Sequence, residues 1–260
     1  MANPKEFAID LAKQAGAIIK ANFTLGMKKE WKADNTPLTV TDLTINQMVI
    51  DAVQKNFPLH SVLAEEGSAM IEGSEYVWVC DPIDGTIPFS HGIPTCVFSL
   101  ALTHHGEPIL GVVYDPFMDR LFVGEKGGGA TLNGNPIHVS PATSLMNAIA
   151  GVSYWAVAPF FQYSRLQESL SNQGVKMVNV LSITYMGALV ASGELVATVF
   201  QGISPHDTAA IKVIVEEAGG KVTDVFGKEQ RYDRDISGHI VSNGLLHPKL
   251  LELIRDAKIE

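Results

Sequence analysis

Apolar residues return every three or four positions in two N-terminal stretches. Phe7, Leu11, Ala15, Ile18, Ile19 and Phe23 make up one set, and Ile45, Met48, Val49, Ala52, Val53 and Phe57 the other. That spacing lines one face of an α-helix, so two amphipathic helices are predicted, joined by the polar loop KKEWKADNTP. From about Ser61 to Val123 the rhythm changes to short β-rich runs, SVLA, YVWVC, CVFSLAL, ILGVVYD and RLFVG, separated by Gly, Pro and Asp. These predict a largely antiparallel sheet. After GGGATLNGNPIHVS the chain alternates NAIAGVS, a helix near residues 159–171, VKMVNV, a helix near 184–192, LVATVF and a helix near 208–218. KVTDV, GHIVSN and a helix from about Pro248 close it. The second half therefore reads as α/β, and no repeat, low-complexity tract or linker divides it from the first. Residues 1–140 and 141–260 are expected to be two halves of one compact unit.

Composition narrows the class. A chain of 260 residues, 46% apolar and 18% charged, is long enough for a sizeable core and ordered in character. Its formal net charge is -9 and no Lys/Arg cluster occurs, which argues against a nucleic-acid polymer or an acidic membrane as partner. An anionic substrate would then need metal ions. Lys5, Asp10 and Lys13 interrupt the apolar residues of MANPKEFAIDLAKQAGAIIK, so this stretch is neither a signal segment nor a spanning helix, and a cytoplasmic protein is expected. Cys80 and Cys96 supply neither a disulfide framework nor a zinc spacing and are read as buried free thiols.

The segment DPIDGTIPF, Asp81 to Phe89, sets two carboxylates around a proline just after the apolar run YVWVC. Two unpaired like charges at one point repel each other, and a hard cation with oxygen ligands removes the conflict. A plain surface turn is the competing reading, since Asp, Pro and Gly are common turn formers. Gly85 and Thr86 favour the first, because a chain turning there presents free N–H groups to a phosphate. Glu65 and Glu66, in AEEGS, read by themselves as a solvated acidic pair. Asp207, ahead of TAAIKVIVEEAGG, reads by itself as a helix N-cap.

Taken in order with PLTVTD upstream, these three blocks resemble the inositol monophosphatase family of Mg²⁺-dependent, lithium-sensitive phosphatases. The resemblance spans essentially the whole chain, including GVVYDPFMDRLFVGEKGGGATLNG. It implies the layered αβαβα sandwich of the inositol monophosphatase and fructose-1,6-bisphosphatase type. It further implies that Glu65, Asp81 and the carbonyl of Ile83 hold a first Mg²⁺, that Asp81, Asp84 and Asp207 hold a second, and that Glu65 touches a third. Mn²⁺ is the expected substitute and Li⁺ the expected inhibitor. The N–H groups of Gly85 and Thr86 would bind the substrate phosphate, and Thr86 with Asp42 would orient and deprotonate water. Lys32 resembles the family's mobile-loop lysine. A homodimer is implied as well, and the apolar stretch Ser153 to Tyr163 suits either its interface or the core.

The chain departs from the family pattern at three places. Pro88 stands where many relatives have Asn, and His206 where Trp usually precedes the late Asp. His206 reads either as a packed neutral ring or as a substrate contact titrating near neutral pH. Phe200 occupies the place of a Glu that binds inositol, and Asn179 to Gly187 departs from the segment that contacts the polyol. The expected function is hydrolysis of a small polyol or sugar phosphate of the inositol 1-phosphate type. Histidinol phosphate, fructose 1,6-bisphosphate and 3′-phosphoadenosine 5′-phosphate are alternative substrates, and a non-catalytic phosphate-ligand-binding regulator is the alternative of another class. For a bisphosphate, Arg165, Lys176 and Arg231 are the candidate second anchors.

Overall fold

The computed structural model of the chain describes residues 3–33, 36–153 and 160–259. Helix α1 (Pro4–Asn22) opens on Asn3, whose side chain accepts the Lys5 N–H, with proline in the first turn where its missing N–H costs nothing. The loop KKEWKADNTP and the Leu38 that follows it form a short antiparallel ribbon of β1 (Glu30–Trp31) and β2 (Pro37–Leu38), too brief for any periodicity to announce. Helix α2 (Val40–Asn56) begins ahead of its apolar set because Thr39 and Asp42 form a reciprocal capping box.

The β-rich stretch forms a seven-stranded sheet in sequential order. Its strands are β3 (Ser61–Ala64), β4 (Tyr76–Asp84), β5 (Val97–His104), β6 (Glu107–Asp115), β7 (Arg120–Glu125), β8 (Gly129–Leu132) and β9 (Asn135–Pro136). All neighbours run antiparallel except β3 and β4. The last two strands, hidden in GGGATLNGNPIHVS, are joined by Asn133 and Gly134, both at positive φ, the conformation that an Asn-Gly hairpin turn requires. A short helix, α3 (Thr86–Ser90), lies between β4 and β5.

The second sheet has five strands in the order β11-β10-β12-β14-β13. In chain order the elements are β10 (Ile149–Ser153), α4 (Tyr163–Asn172), β11 (Lys176–Val178), α5 (Ile183–Ala191), β12 (Ala197–Phe200), α6 (Ala209–Glu217), β13 (Lys221–Thr223), β14 (His239–Ser242) and α7 (His247–Asp256). Residues 154–159, the greater part of the stretch read as interface or core and the expected start of the fourth helix, lie outside the described residues. Phe161, beyond them, is buried.

Alternation along the strands builds the layers. Trp78, Cys80, Phe98 and Leu100 face α1 and α2 together with Leu11, Ile19, Ile45 and Val49. Val77, Val79, Val97 and Phe122 face the opposite way, onto Met186, Ile211 and Ile214 of the α5–α6 layer. Ala150, Val152, Val199 and Ile240 of the second sheet pack outward on Leu166, Leu170, Leu250 and Ile254 of α4 and α7. The result is a helix, sheet, helix, sheet, helix sandwich. Close approach of α6 to the first sheet depends on two glycines paired across β6 and β7, Gly111 and Gly124. A Cβ on Gly111 would sit 2.4 Å from the Ala210 carbonyl oxygen, and one on Gly124 2.6 Å from the Ile214 Cα. Cys80 and Cys96 are buried and free. Among the described residues no helix is long and apolar enough to cross a membrane.

Candidate active site

The acidic segment is not a surface turn. Strand β4 runs on through Pro82 to Asp84, and its pairing with β5 slips between Asp81 and Asp84, so a bulge carries the proline inside the sheet. Asp81 and Asp84 are both buried, 2% and 5% exposed. The Asp81 carboxylate accepts the Ile83 N–H at 2.9 Å. Gly85 follows at φ 97, a conformation that favours glycine, and turns the chain into α3.

Asp84 sits at the N-terminus of α5. Ser182 Oγ donates to it at 2.6 Å, the Thr184 N–H at 2.7 Å and the Ile183 N–H at 3.2 Å. The Thr184 hydroxyl also donates to the Asp207 carbonyl at 3.2 Å, tying the two acidic segments together. Nothing in the sequence points to Ser182 and Thr184, since Asn179 to Gly187 stands out there only as a departure from a polyol-contacting pattern. Their partner is 98 and 100 positions away, and only the fold supplies it.

Asp207 is not a helix N-cap. It ends a 3-10 turn, Pro205–Asp207, and Thr208 caps α6 instead. Single oxygens of Asp81, Asp84 and Asp207 come within 4.8 Å of one another, as do an oxygen of Glu65, an oxygen of Asp81 and a ring nitrogen of His206. Glu65 and Glu66 are no solvated pair, since the Lys32 ammonium donates to both, at 2.7 and 2.5 Å. The Thr86 hydroxyl lies 3.1 Å from Asp42 and 3.0 Å from the Ile83 carbonyl. Asp42 is held in turn by the N–H and hydroxyl of Thr39.

Electrostatics make the cluster a candidate cation site. Burial, then the charges of Glu65, Asp84 and Asp207, push the Asp81 carboxyl well above its ordinary range. Burial followed by Asp84 and Glu65 does the same to Asp207. Burial raises Asp84 to about 6 against the pull of its donors. Burial alone would lower Lys32, yet Glu65 and Glu66 more than reverse this. Burial also depresses His206 below the usual histidine value. Carboxylates crowded in this way lack counter-charge, and their oxygens are the donors that hard divalent cations take. The residues therefore fit such an ion.

A cavity of about 250 Å³ opens above the cluster. Glu65, Asp81, Ile83, Asp84, Gly85, Thr86, Phe200, His206 and Asp207 all line it, while Asp42 and Lys32 reach it through Thr86 and Glu65. Pro88 is buried within α3 and is not among the residues lining this cavity. Arg165, Lys176 and Arg231, considered as second phosphate anchors, are not among its lining residues. Arg231 instead pairs with Asp233 at the surface.

A layered fold with an acidic, cation-hungry cleft defines a metal-dependent hydrolase scaffold, and comparison with known proteins gives the family. The model of the inositol monophosphatase family matches residues 2–258. A fructose-1,6-bisphosphatase/inositol-1-monophosphatase of Thermotoga maritima is 32% identical over 252 residues, 96% of this chain and 95% of that protein. A histidinol-phosphatase of Chlorobaculum parvum is 32% identical over 257 residues, again 96% and 95% of the two chains. The solved structure of a Thermotoga maritima IMPase superposes with a TM-score of 0.87 at 32% identity, covering 97% of this chain and 96% of its own. The chain belongs to the inositol monophosphatase family, whose members are metal-dependent phosphatases.

Proposed function

We propose that this chain is a Mg²⁺-dependent phosphomonoesterase for a small phosphorylated polyol, sugar or amino alcohol. One observation carries the reading: Asp81 belongs at once to the Glu65 group and to the Asp84–Asp207 group, so two cations can share it at the floor of one cavity. Bound there, divalent cations would supply Lewis acidity, acidifying water and offsetting charge on the leaving oxygen. Glu65, Asp81 and the Ile83 carbonyl would hold one ion and Asp81, Asp84 and Asp207 another, with Glu65 reaching a third. Asp42 takes the part of general base, relayed through the Thr86 hydroxyl, which orients the attacking water. The backbone N–H groups of Gly85 and Thr86 receive the phosphate oxygens. Lys32, bonded to Glu65, limits the negative charge that an incoming phosphate meets.

Phe200 and His206 form substrate-facing wall of the cavity beside Ile203 and Leu181. That apolar surface favours a second choice of substrate, an amino-alcohol phosphate with a flat or apolar end, over a ligand with hydroxyls on every side. The named histidinol-phosphatase relative supports the same choice. Family membership is the support for Mn²⁺ as substitute, for Li⁺ competing at the Asp81–Asp84–Asp207 ion and for a homodimer, while a cytoplasmic setting rests on the charges that interrupt the apolar residues of the N-terminal stretch.

The test is phosphate release with and without Mg²⁺ from inositol 1-phosphate, histidinol phosphate, fructose 1,6-bisphosphate, 3′-phosphoadenosine 5′-phosphate and β-glycerophosphate. Mg²⁺-dependent release supports the reading and ranks the substrates. Absence of release from all five by metal-loaded protein would favour a non-catalytic ligand-binding role.

A further inference from the structure

Two consecutive side chains divide between the two acidic groups. Asp207 joins Asp81 and Asp84, whereas His206 brings a ring nitrogen to Glu65 and Asp81. The 3-10 turn Pro205–Asp207 makes this possible: the Thr208 N–H closes it on the Pro205 carbonyl at 3.1 Å, and buried Pro205 anchors its start. His206 lines the cavity and makes no hydrogen bond to a described residue, so its ring is not committed to holding the fold. The donor spacing also fits. All three donor atoms lie within 4.8 Å of one another, and ligands at about 2.1 Å on opposite sides of one ion stand about 4.2 Å apart, so small side-chain movements suffice for the three to converge on one ion.

We propose that His206 is a nitrogen ligand of the cation held by Glu65 and Asp81, and that it shifts this site's preference from Mg²⁺ toward Mn²⁺ and other borderline cations. The proposal rests on the reading of Glu65 and Asp81 as cation ligands. An indole at this position, as the family pattern has it, offers no lone pair to a metal; an imidazole does. Imidazole suits first-row transition ions, whereas Mg²⁺ keeps to oxygen donors and water. The substitution therefore changes which metal the site selects while leaving every carboxylate in place.

The experiment is electron spin-echo envelope modulation on the full-length protein loaded with Mn²⁺, with Mn²⁺ occupancy measured by equilibrium binding. Wild type should show a directly bound nitrogen whose modulation changes on ¹⁵N-histidine labelling. His206→Gln and His206→Trp should bind Mn²⁺ without that signal, and the ratio of Mn²⁺ to Mg²⁺ affinity should fall about tenfold, a scale on which even outer partners of metal ligands act. The Trp variant keeps a packed aromatic ring, so loss of the signal in both variants is not a folding effect. Bound Mn²⁺ with no histidine nitrogen in wild type would overturn the proposal and leave the carboxylate site standing. Failure of wild type to bind Mn²⁺ at all would overturn the underlying cation reading too.

Discussion

The Thr86 hydroxyl stands 3.1 Å from a carboxylate oxygen of Asp42, across 44 positions of sequence. The other oxygen of Asp42 is taken up by the N–H and hydroxyl of Thr39, so the residue that completes the α2 capping box also reaches the cavity through Thr86. A hydroxyl has one proton to give, and Thr86 has two acceptors in reach, Asp42 and the Ile83 carbonyl. The proposed role of Asp42 as base rests on this position.

Asp42→Asn should accordingly lower kcat about 10²- to 10⁴-fold, the usual worth of a general base. Mg²⁺ affinity by calorimetry should stay close to wild type, because Asp42 is in neither donor group. A stability loss of about 1 kcal/mol is expected from the damaged capping box. An equal collapse of Mg²⁺ binding would instead place Asp42 among the metal ligands.

Asp207→Asn is expected to abolish turnover and yet stabilise the metal-free protein. The Asp207 carboxylate receives no side-chain hydrogen bond among the described residues and is crowded by Asp84 and Glu65. Removing its charge relieves repulsion without leaving a donor unpaired. Thermal unfolding in a chelator should show a higher Tm than wild type, by roughly 2–4 °C for each kcal/mol gained. A lower Tm would mean that the carboxylates do not strain the apoprotein.

Metal removal carries the complementary expectation for wild type. An ion that binds only the native state adds about 2.7 kcal/mol when present at about a hundred times its Kd. Mg²⁺ should thus raise the Tm of chelator-treated protein in a concentration-dependent manner, and Asp207→Asn should flatten the titration. A Tm indifferent to Mg²⁺ would count against the site.

Much of this architecture was legible in the sequence where burial imposes a period. Helices α1 and α2 follow their apolar stripes, and β3 to β7 follow their β-branched runs. Elements set by turns or by distant partners were not. The β8–β9 hairpin rests on Asn133 and Gly134 inside a glycine-rich stretch that reads as loop, and β4 runs past Pro82 only because a bulge absorbs it. In the site, Glu65, Asp81 and Asp207 each had an ordinary local explanation, and all three fail in the fold. Family resemblance grouped them in advance. The Ser182 and Thr184 bonds to Asp84 had no such pointer, since hydroxyl residues before a helix look like any other cap.

His239 should make the protein acid-sensitive. Its Nδ1 lies 2.7 Å from the Thr208 hydroxyl, its Nε2 is buried with no partner among the described residues, and burial lowers its pKa to about 3. The unfolded chain titrates near the ordinary value of about 6.5, so between those limits it binds a proton that the native state refuses. Stability is therefore complete above about pH 6.5 and declines below it by up to about 1.4 kcal/mol per pH unit from this group. Urea unfolding at about pH 7 and pH 5 should show wild type losing up to about 2 kcal/mol more than His239→Gln. His247, lowered to about 4 chiefly by burial, contributes alike in both proteins and cancels. Equal losses in the two proteins would show that His239 is protonated in the fold.

The paired glycines of β6 and β7 link the sheet to the proposed metal ligands. Gly111 and Gly124 let the backbone of α6 rest directly on the first sheet, and α6 begins two residues after Asp207. That seating helps to bring Asp207 to within reach of Asp81 and Asp84, which the first sheet carries. Gly124→Ala would put a methyl 2.6 Å from the Ile214 Cα, a contact that only movement of the helix relieves. A stability loss of about 1–3 kcal/mol is expected for such overpacking. Mg²⁺ affinity should fall with it, because displacement of α6 carries Asp207 away from its two partners. Chemical unfolding and Mg²⁺ calorimetry on the same variant separate the possibilities: lost stability with unchanged affinity would show that the 3-10 turn at Pro205 insulates the metal ligands from the helix.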